Sequence, residues 1–122
     1  MKILSYRELQ VWQVSMDMAA ECYRVTMTFP KSELFGLTSQ IRRAAGSIPA
    51  NIAEGHGRNS TKEFLHHLSI ARGSLHEIET HLLLAQRVGP LTEHPSNPLL
   101  ETSTRISQML SRLRQSLERR LP

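Results

Sequence analysis

Residues Gly36–Gly57, with the sequence GLTSQIRRAAGSIPANIAEGHG, decide the fold. Placed at 100° per residue, this stretch forms a helix with three different faces. The apolar face consists of Ile41, Ala44, Ala45, Ile48 and Ile52. The polar stripe beside it consists of Gln40, Arg43, Ser47, Asn51 and Glu54. The remaining face consists of the small residues Gly46, Ala50 and Ala53. Since a surface helix has one apolar stripe opposite a charged face, this pattern predicts a helix surrounded by partners and favours assembly.

Composition limits the class of protein. A chain of 122 residues with 5% aromatic residues and 6 glycines suits one globular domain over residues 1–122, and neither a β-sandwich nor a disordered chain. The single cysteine, Cys22, cannot form an internal disulfide, which fits a reducing cytosol. The N-terminal MKILSYRELQ predicts no signal peptide, and no long apolar run predicts a membrane span. The net charge of +4 and pI of about 9.8 favour acidic partners such as RNA or DNA, although many proteins are mildly basic.

Apolar periodicity and helix-end signals predict four helices, at about residues 6–28, 38–54, 61–88 and 98–119. Ser5 and Ser60 each precede a glutamate by three residues, the pattern of a capping box, at the first and third helices. Gly55 and Gly57 end the second helix, and Gly89-Pro90 ends the third. Asn97 caps the fourth helix, with Pro98 at its first position. The third helix has the seven-residue apolar repeat Phe64, Leu68, Ala71, Leu75, Ile78, Leu82 and Ala85. The pattern predicts an all-α protein, an antiparallel up-down-up-down four-helix bundle.

The first helix carries two apolar stripes about 120° apart. One stripe consists of Leu9, Trp12, Met16, Ala19, Tyr23 and Met27. The other consists of Val11, Val14, Met18, Cys22 and Val25. Either both stripes contact a broad core, or the second is a subunit interface. Because long apolar stripes are uncommon on monomers, we interpret the second stripe as an oligomer interface, together with the small residues Gly46, Ala50 and Ala53.

Three segments resemble one known family in their order and spacing. They are LQVWQ (residues 9–13), FPKSELFGLTSQIRRAAGSIPANIAEG (29–55) and KEFLHHLSIARGSLHEIE (62–79). The family is that of the four-helix bundle proteins named after the 23S rRNA intervening sequences that encode some members. The resemblance covers Leu9 to Ala85, and the run from Gln40 to Gly55 is its specific part. Gly46 stands where the family usually carries a larger aliphatic residue.

The resemblance implies a left-handed four-helix bundle that assembles as a ring, typically a homopentamer. Relatives include the accessory proteins of diversity-generating retroelements, which are basic pentameric rings that bind a reverse transcriptase and nucleic acid. Most other members have no assigned biochemical activity. The resemblance therefore implies a fold more than it implies a function.

Polar flanks of the second and third helices predict a hydrogen-bonded network. The flank of the third helix consists of Glu63, His67, Ser74, Glu77 and His81. If it meets the polar stripe of the second helix, the buried polar groups can satisfy one another. The predicted network consists of Arg43, Ser47, Asn51, Ser74 and Glu77. We interpret it as a structural device that fixes helix register; a ligand or nucleic-acid site is the alternative.

Signals for catalysis are weak. Glu63 and His66 form one Glu-x-x-His motif, whereas a di-iron bundle needs two such motifs and two further glutamates, all directed inward. Cys22 lies on an apolar stripe, as inert buried thiols do, and the serines lack a fixed base. The chain has no glycine-rich phosphate loop. We therefore predict no enzyme, no metal site and no cofactor.

Basic residues are the remaining functional signal. Arg105, Arg112 and Arg119 recur every seven residues on the outer side of the fourth helix, about 10 Å apart. Such a row contacts phosphates without reading bases, and a solvated face is the alternative. A weaker group near the turn after the second helix consists of Arg42, Arg58 and Lys62.

These patterns lead to one functional prediction and two alternatives. The prediction is a non-catalytic, cytoplasmic homo-oligomer, a pentamer by resemblance, that is a binding scaffold for nucleic acid or for a nucleic-acid enzyme. The first alternative is a purely structural or protein-interaction module with no role in nucleic-acid binding. The second is a metal-dependent enzyme.

Overall fold

The computed structural model of the protein describes residues 5–122, which form four α-helices. The helices are α1 (Gln10–Thr26), α2 (Leu37–His56), α3 (Thr61–Val88) and α4 (Glu93–Glu118). Two 3-10 turns, Tyr6–Glu8 and Lys31–Glu33, precede α1 and α2. No strand occurs within residues 5–122, which confirms the all-α prediction. None of the helices in this part of the chain is long and apolar enough to cross a membrane.

The four helices pack around a shared core. Each helix contacts the next one in the chain, and α1 also contacts α4, whereas the diagonal pairs within residues 5–122 do not approach each other closely. Three hydrogen bonds connect α3 with α4, at Gln86–Ser96, Glu79–Ser103 and Ser69–Arg114. Residue numbers fall along α3 as they rise along α4, so these two helices are antiparallel. This is the neighbour order of a four-helix bundle. The complete up-down-up-down order and the left-handed sense stay predictions.

The seven-residue repeat of α3 and the apolar face of α2 line the core. Six of the seven repeat residues have no accessible surface, and Phe64 is partly buried against them. All five apolar residues predicted for α2, from Ile41 to Ile52, are at most 4% exposed. Pro49 is also buried, within a helix that continues to His56. Periodicity therefore identified the inner faces of the two central helices correctly.

The start of α1 differs from the prediction. The helix begins at Gln10 instead of near Tyr6, because the backbone of Leu9 is extended, with φ −72° and ψ 122°. The side chain of Ser5 does cap a turn, but it accepts from the backbone N–H of Arg7 and caps only Tyr6–Glu8. The capping pattern thus marks a short 3-10 turn that ends before the helix begins.

The start of α4 also differs, since it begins at Glu93 and not at Pro98. Thr92 is extended, and the first helical hydrogen bond runs from the Ser96 N–H to the Thr92 carbonyl at 3.3 Å. Pro95 lies in the first turn, where backbone N–H groups have no helical partner in any case. Asn97 is therefore inside α4 and not its cap, and Pro98 removes one helical hydrogen bond.

Other end signals are borne out in part. Ser60 accepts from the backbone N–H of Glu63 at 3.1 Å, as expected at the start of α3. Gly89 ends α3 with a positive φ of 111°, a conformation that glycine adopts without strain. Gly55, predicted to end α2, instead lies within it, one residue before the last helical position.

Candidate functional site

The predicted interface stripe of α1 lies in the core of the protomer, and that assignment was wrong. Val11, Val14, Met18 and Cys22 are each at most 9% exposed, and Val25 is partly buried against the same core. The reason is that α1 contacts both α2 and α4. These two helices cover the stripe that contains Val11, Val14, Met18 and Cys22. The periodicity of α1 alone does not indicate where its neighbouring helices lie.

The other apolar stripe of α1 is the exposed one. Met16 is 45% exposed, Tyr23 is 49% exposed and Met27 is 76% exposed. Leu9, at the start of this stripe, is buried, and Trp12 is partly buried with its ring 5.3 Å from that of Tyr6. The stripe predicted to be exposed is therefore buried, and the other stripe is exposed over its second half.

This exposed stripe and the small face of α2 form a groove, which we call the α1/α2 groove. Its volume is about 310 Å³, and its lining consists of Tyr6, Trp12, Met16, Ala19, Gly46, Pro49, Ala50 and Ala53. A Cβ atom added at Gly46 would meet nothing within 4 Å, so the groove is open at this point. The structure thus brings Gly46, Ala50 and Ala53 together on one open apolar surface. Their role as an interface stays a prediction.

A second apolar surface lies on α3, remote in sequence from the groove. Leu83 is 48% exposed, Leu84 is 44% exposed and Val88 is 60% exposed. Phe35, in the connection between α1 and α2, is 92% exposed. The sequence interpretation overlooked these residues. The sequence did indicate this surface, because Leu83, Leu84 and Val88 are apolar residues of the third helix that do not belong to its seven-residue core repeat.

Part of the predicted polar network forms between α2 and α3. The Ser74 hydroxyl donates to the Ser47 hydroxyl at 2.8 Å, and the Asn51 amide donates to the same Ser47 oxygen at 3.0 Å. The Asn51 amide oxygen lies 3.1 Å from Nδ1 of His67. Since an amide oxygen can only accept, Nδ1 of His67 carries the proton. His67 therefore completes a ladder of four polar side chains between the helices.

Arg43 and Glu77 are not members of this ladder, contrary to the prediction. Both are exposed, and within residues 5–122 neither makes a hydrogen bond to Ser47, Asn51 or Ser74. Long charged side chains reach water at low cost, whereas burial removes their hydration. The short side chains are the ones that remain between the helices.

The basic row of α4 is available for binding. Arg105, Arg112 and Arg119 are all exposed, and none forms an ion pair with a described residue. Lys62, at the start of α3, is also exposed. Arg114 is not part of the row, because its guanidinium donates to the Ser69 hydroxyl of α3 at 2.7 Å.

Two of the predicted basic residues have structural partners. The Arg42 guanidinium lies 4.7 Å from the ring centre of Tyr23 and donates to the Thr26 hydroxyl at 2.9 Å. It joins α2 to the last turn of α1, and its predicted contact with nucleic acid stays a prediction. Arg58 pairs with Glu54 at 2.9 Å, and both side chains are exposed at the surface. The role of Arg42, Arg58 and Lys62 in nucleic-acid binding stays a prediction.

The thiol of Cys22 lies in a buried environment that disfavours its reactive form. Cys22 is inaccessible, and burial, followed by the nearby charge of Glu21, raises the pKa of its thiol to about 12. A thiol in that state is a poor nucleophile, because the thiolate is the reactive form. Within residues 5–122, no three His, Cys, Asp or Glu side chains are placed to hold a metal ion.

Comparison with known proteins agrees with this architecture. The model of the 23S rRNA-intervening sequence protein family matches residues 7–112. The chain is similar to a protein of unknown function from the S23 ribosomal protein family of Bacteroides thetaiotaomicron VPI-5482, whose crystal structure was determined at 1.70 Å. The two share 27% sequence identity with a TM-score of 0.76, over 85% of this chain and 97% of that chain. No curated protein matches the chain. Because the family model spans most of its length, the chain belongs to the 23S rRNA-intervening sequence protein family.

Proposed function

We propose that the protein is a non-catalytic scaffold that assembles through the α1/α2 groove and binds nucleic acid, or an enzyme acting on nucleic acid, through the α4 row. The observation that carries this proposal is the open groove lined by apolar residues of two helices. Exposed apolar surfaces of this kind are found at protein–protein contacts. A second copy of the chain is the occupant that we propose.

The chain itself carries a surface suited to that role. The exposed apolar residues Leu83, Leu84 and Val88 lie on α3, which does not contact α1. When one patch on a subunit binds a different patch on the next, the contacts close into a ring if the rotation allows it. A ring of five copies is the assembly that the family resemblance favours.

Ala50→Glu tests the assembly. Ala50 is exposed in the groove, so a charge there leaves the protomer fold intact but places an unpaired carboxylate in the proposed contact. By native mass spectrometry, we expect the unmodified protein at a multiple of the 13.9 kDa chain mass and the variant at one chain mass. Thr104→Glu, an exposed position on α4, is the matched control and keeps the assembled mass. A monomeric unmodified protein, or an Ala50→Glu variant that assembles normally, refutes the proposed interface.

Binding of nucleic acid is supported by the charge and exposure of the α4 row. Three exposed arginines on one helix face supply phosphate contacts that do not depend on sequence. Assembly would repeat this row in every subunit and raise avidity without new contacts. A structured RNA, alone or with a reverse transcriptase as in the accessory proteins of diversity-generating retroelements, is the partner we propose.

The binding test is fluorescence anisotropy of a labelled structured RNA, titrated from low to physiological salt. We expect the variant with alanine at Arg105, Arg112 and Arg119 to bind more weakly and to lower the salt slope by about 2 to 3. The matched control has alanine at Lys31, Arg72 and Arg87, three exposed cations outside the row, and removes the same charge. Equal losses in both variants would show that net charge, and not the row, drives binding. No binding at low salt would favour the alternative of a protein-interaction module.

A further inference from the structure

A separate pocket lies between α1 and α4. Its volume is about 300 Å³, at the lower end of the range for small-molecule sites. The lining consists of Asp17, Met18, Glu21, Val25, His94, Pro95, Pro98, Leu99 and Thr102. It occupies the flank of α1 that faces α4, whereas the α1/α2 groove occupies the flank that faces α2. Neither the proposed assembly nor the α4 row uses this pocket.

The polar groups around the pocket include several acceptors beside the His94 imidazole, which carries an N–H donor of its own. Asp17 and Glu21 stand four residues apart on α1, so their carboxylates share one helix face. The Thr102 hydroxyl already donates to the Pro98 carbonyl at 2.9 Å, which leaves only its lone pairs. Because proline has no N–H, the His94 carbonyl lacks the donor that residue 98 supplies in a regular helix. A ligand that satisfies these groups must supply hydrogen-bond donors.

Charge around the pocket is also predominantly negative. Glu21 pairs with Arg24, but within residues 5–122 Asp17 takes part in no ion pair. Glu93, in the first turn of α4, offsets the positive end of that helix dipole. Like charges at i and i+4 repel each other on a helix. The Arg24 guanidinium relieves this repulsion from the side of Glu21, and a bound cation would relieve it at Asp17.

We propose that this pocket binds an alkylammonium group, that is, a primary amine carried on an apolar chain. The ammonium would lie against the Asp17 and Glu21 carboxylates, and its three N–H donors match the surrounding acceptors. The chain would pack on the apolar wall formed by Met18, Val25 and Leu99. Either a free organic amine or a lysine side chain of a partner protein carries this chemistry.

The test is a titration with hexylammonium chloride, followed by chemical shifts in NMR spectra of the whole protein. We expect saturable shifts at Met18, Leu99 and Thr102, and no saturable shifts with hexanol or hexanoate. In the double variant Asp17→Asn and Glu21→Gln, we expect hexylammonium to bind about fivefold more weakly or worse. The control double variant, Glu77→Gln and Glu118→Gln, removes the same charge at exposed positions outside the pocket.

Three results would overturn the proposal: shifts that do not saturate, hexanol binding as tightly as hexylammonium, or equal binding by the two double variants. A parallel titration with Nα-acetyl-lysine methylamide distinguishes the two sources of the amine. Tighter binding of this compound assigns the pocket to a lysine side chain of a partner, and tighter binding of hexylammonium assigns it to a free amine. The test depends on neither subunit assembly nor RNA binding, so its outcome is independent of theirs.

Discussion

Replacing Gly55 with alanine should force α2 and α3 apart. A Cβ atom at this position would lie 2.7 Å from the Cβ of His67 and 3.0 Å from Cδ1 of Phe64. The Cβ of His67 is fixed by the backbone of α3, and the Phe64 carbonyl oxygen lies 3.3 Å away, so rotation of side chains cannot relieve the contact. The helices must separate, and that movement pulls His67 away from Asn51, its partner in the polar ladder.

The expected loss of stability follows from three terms. Overpacking of a close contact costs about 1–3 kcal/mol, and a weakened hydrogen bond costs about 1 kcal/mol. Alanine within a helix gains about 1 kcal/mol over glycine. We therefore expect Gly55→Ala to lower the free energy of unfolding by about 1–3 kcal/mol, or to lower Tm by roughly 4 °C for each kcal/mol.

The matched control is Gly73→Ala, the same change at an exposed position of α3 where an added Cβ meets nothing within 4 Å. This variant should gain about 1 kcal/mol from helix propensity alone. Urea unfolding of both variants, followed by Trp12 fluorescence at one protein concentration, measures the difference. The proposed close contact is refuted if Gly55→Ala is as stable as Gly73→Ala.

Further predictions concern the polar ladder between α2 and α3 and the buried thiol of Cys22. Asn51→Ala should lower the free energy of unfolding by about 1–3 kcal/mol, because it leaves the polar partners of Asn51 between α2 and α3 unsatisfied. Glu77→Ala, at an exposed site, should change Tm little. Equal Tm values for the two variants would contradict the ladder. Cys22 should react with a thiol reagent at pH 8 far more slowly in the native protein than in guanidinium, and rapid native labelling would contradict its burial. Because burial raises the pKa of Cys22 from 9.0 to about 12, ionisation favours the unfolded chain, and stability should fall as pH rises above 9. Urea unfolding at pH 8 and pH 10 measures this fall, which should be smaller in Cys22→Ala.

The sequence predicted some parts of the fold well because their signals are local. The repeat from Phe64 to Ala85 follows helix periodicity, and Ser60 and Gly89 act at the ends of a single helix. Residues 38–54 carry one continuous apolar face, which lies in the core as expected. Each of these features depends on only a few neighbouring residues.

The errors arise where a second element decides the outcome. The two stripes of α1 are equally apolar, and only the positions of α2 and α4 determine which one is covered. The contact of Arg42 with the Tyr23 ring is another feature that depends on a second helix. The periodicity of a helix indicates neither which elements pack against it nor which of its side chains they contact.

The tight contact between α2 and α3 also bears on how the chain folds. These two helices share the most extensive contact of any pair, and only residues 57–60 connect them. Closing so short a connection costs little chain entropy, so we expect this helical hairpin to be largely formed in the folding transition state. The contact between α1 and α4 joins distant parts of the chain and should form later. Changes at Gly55 should therefore slow folding, whereas changes in the α1/α4 pocket should mainly accelerate unfolding.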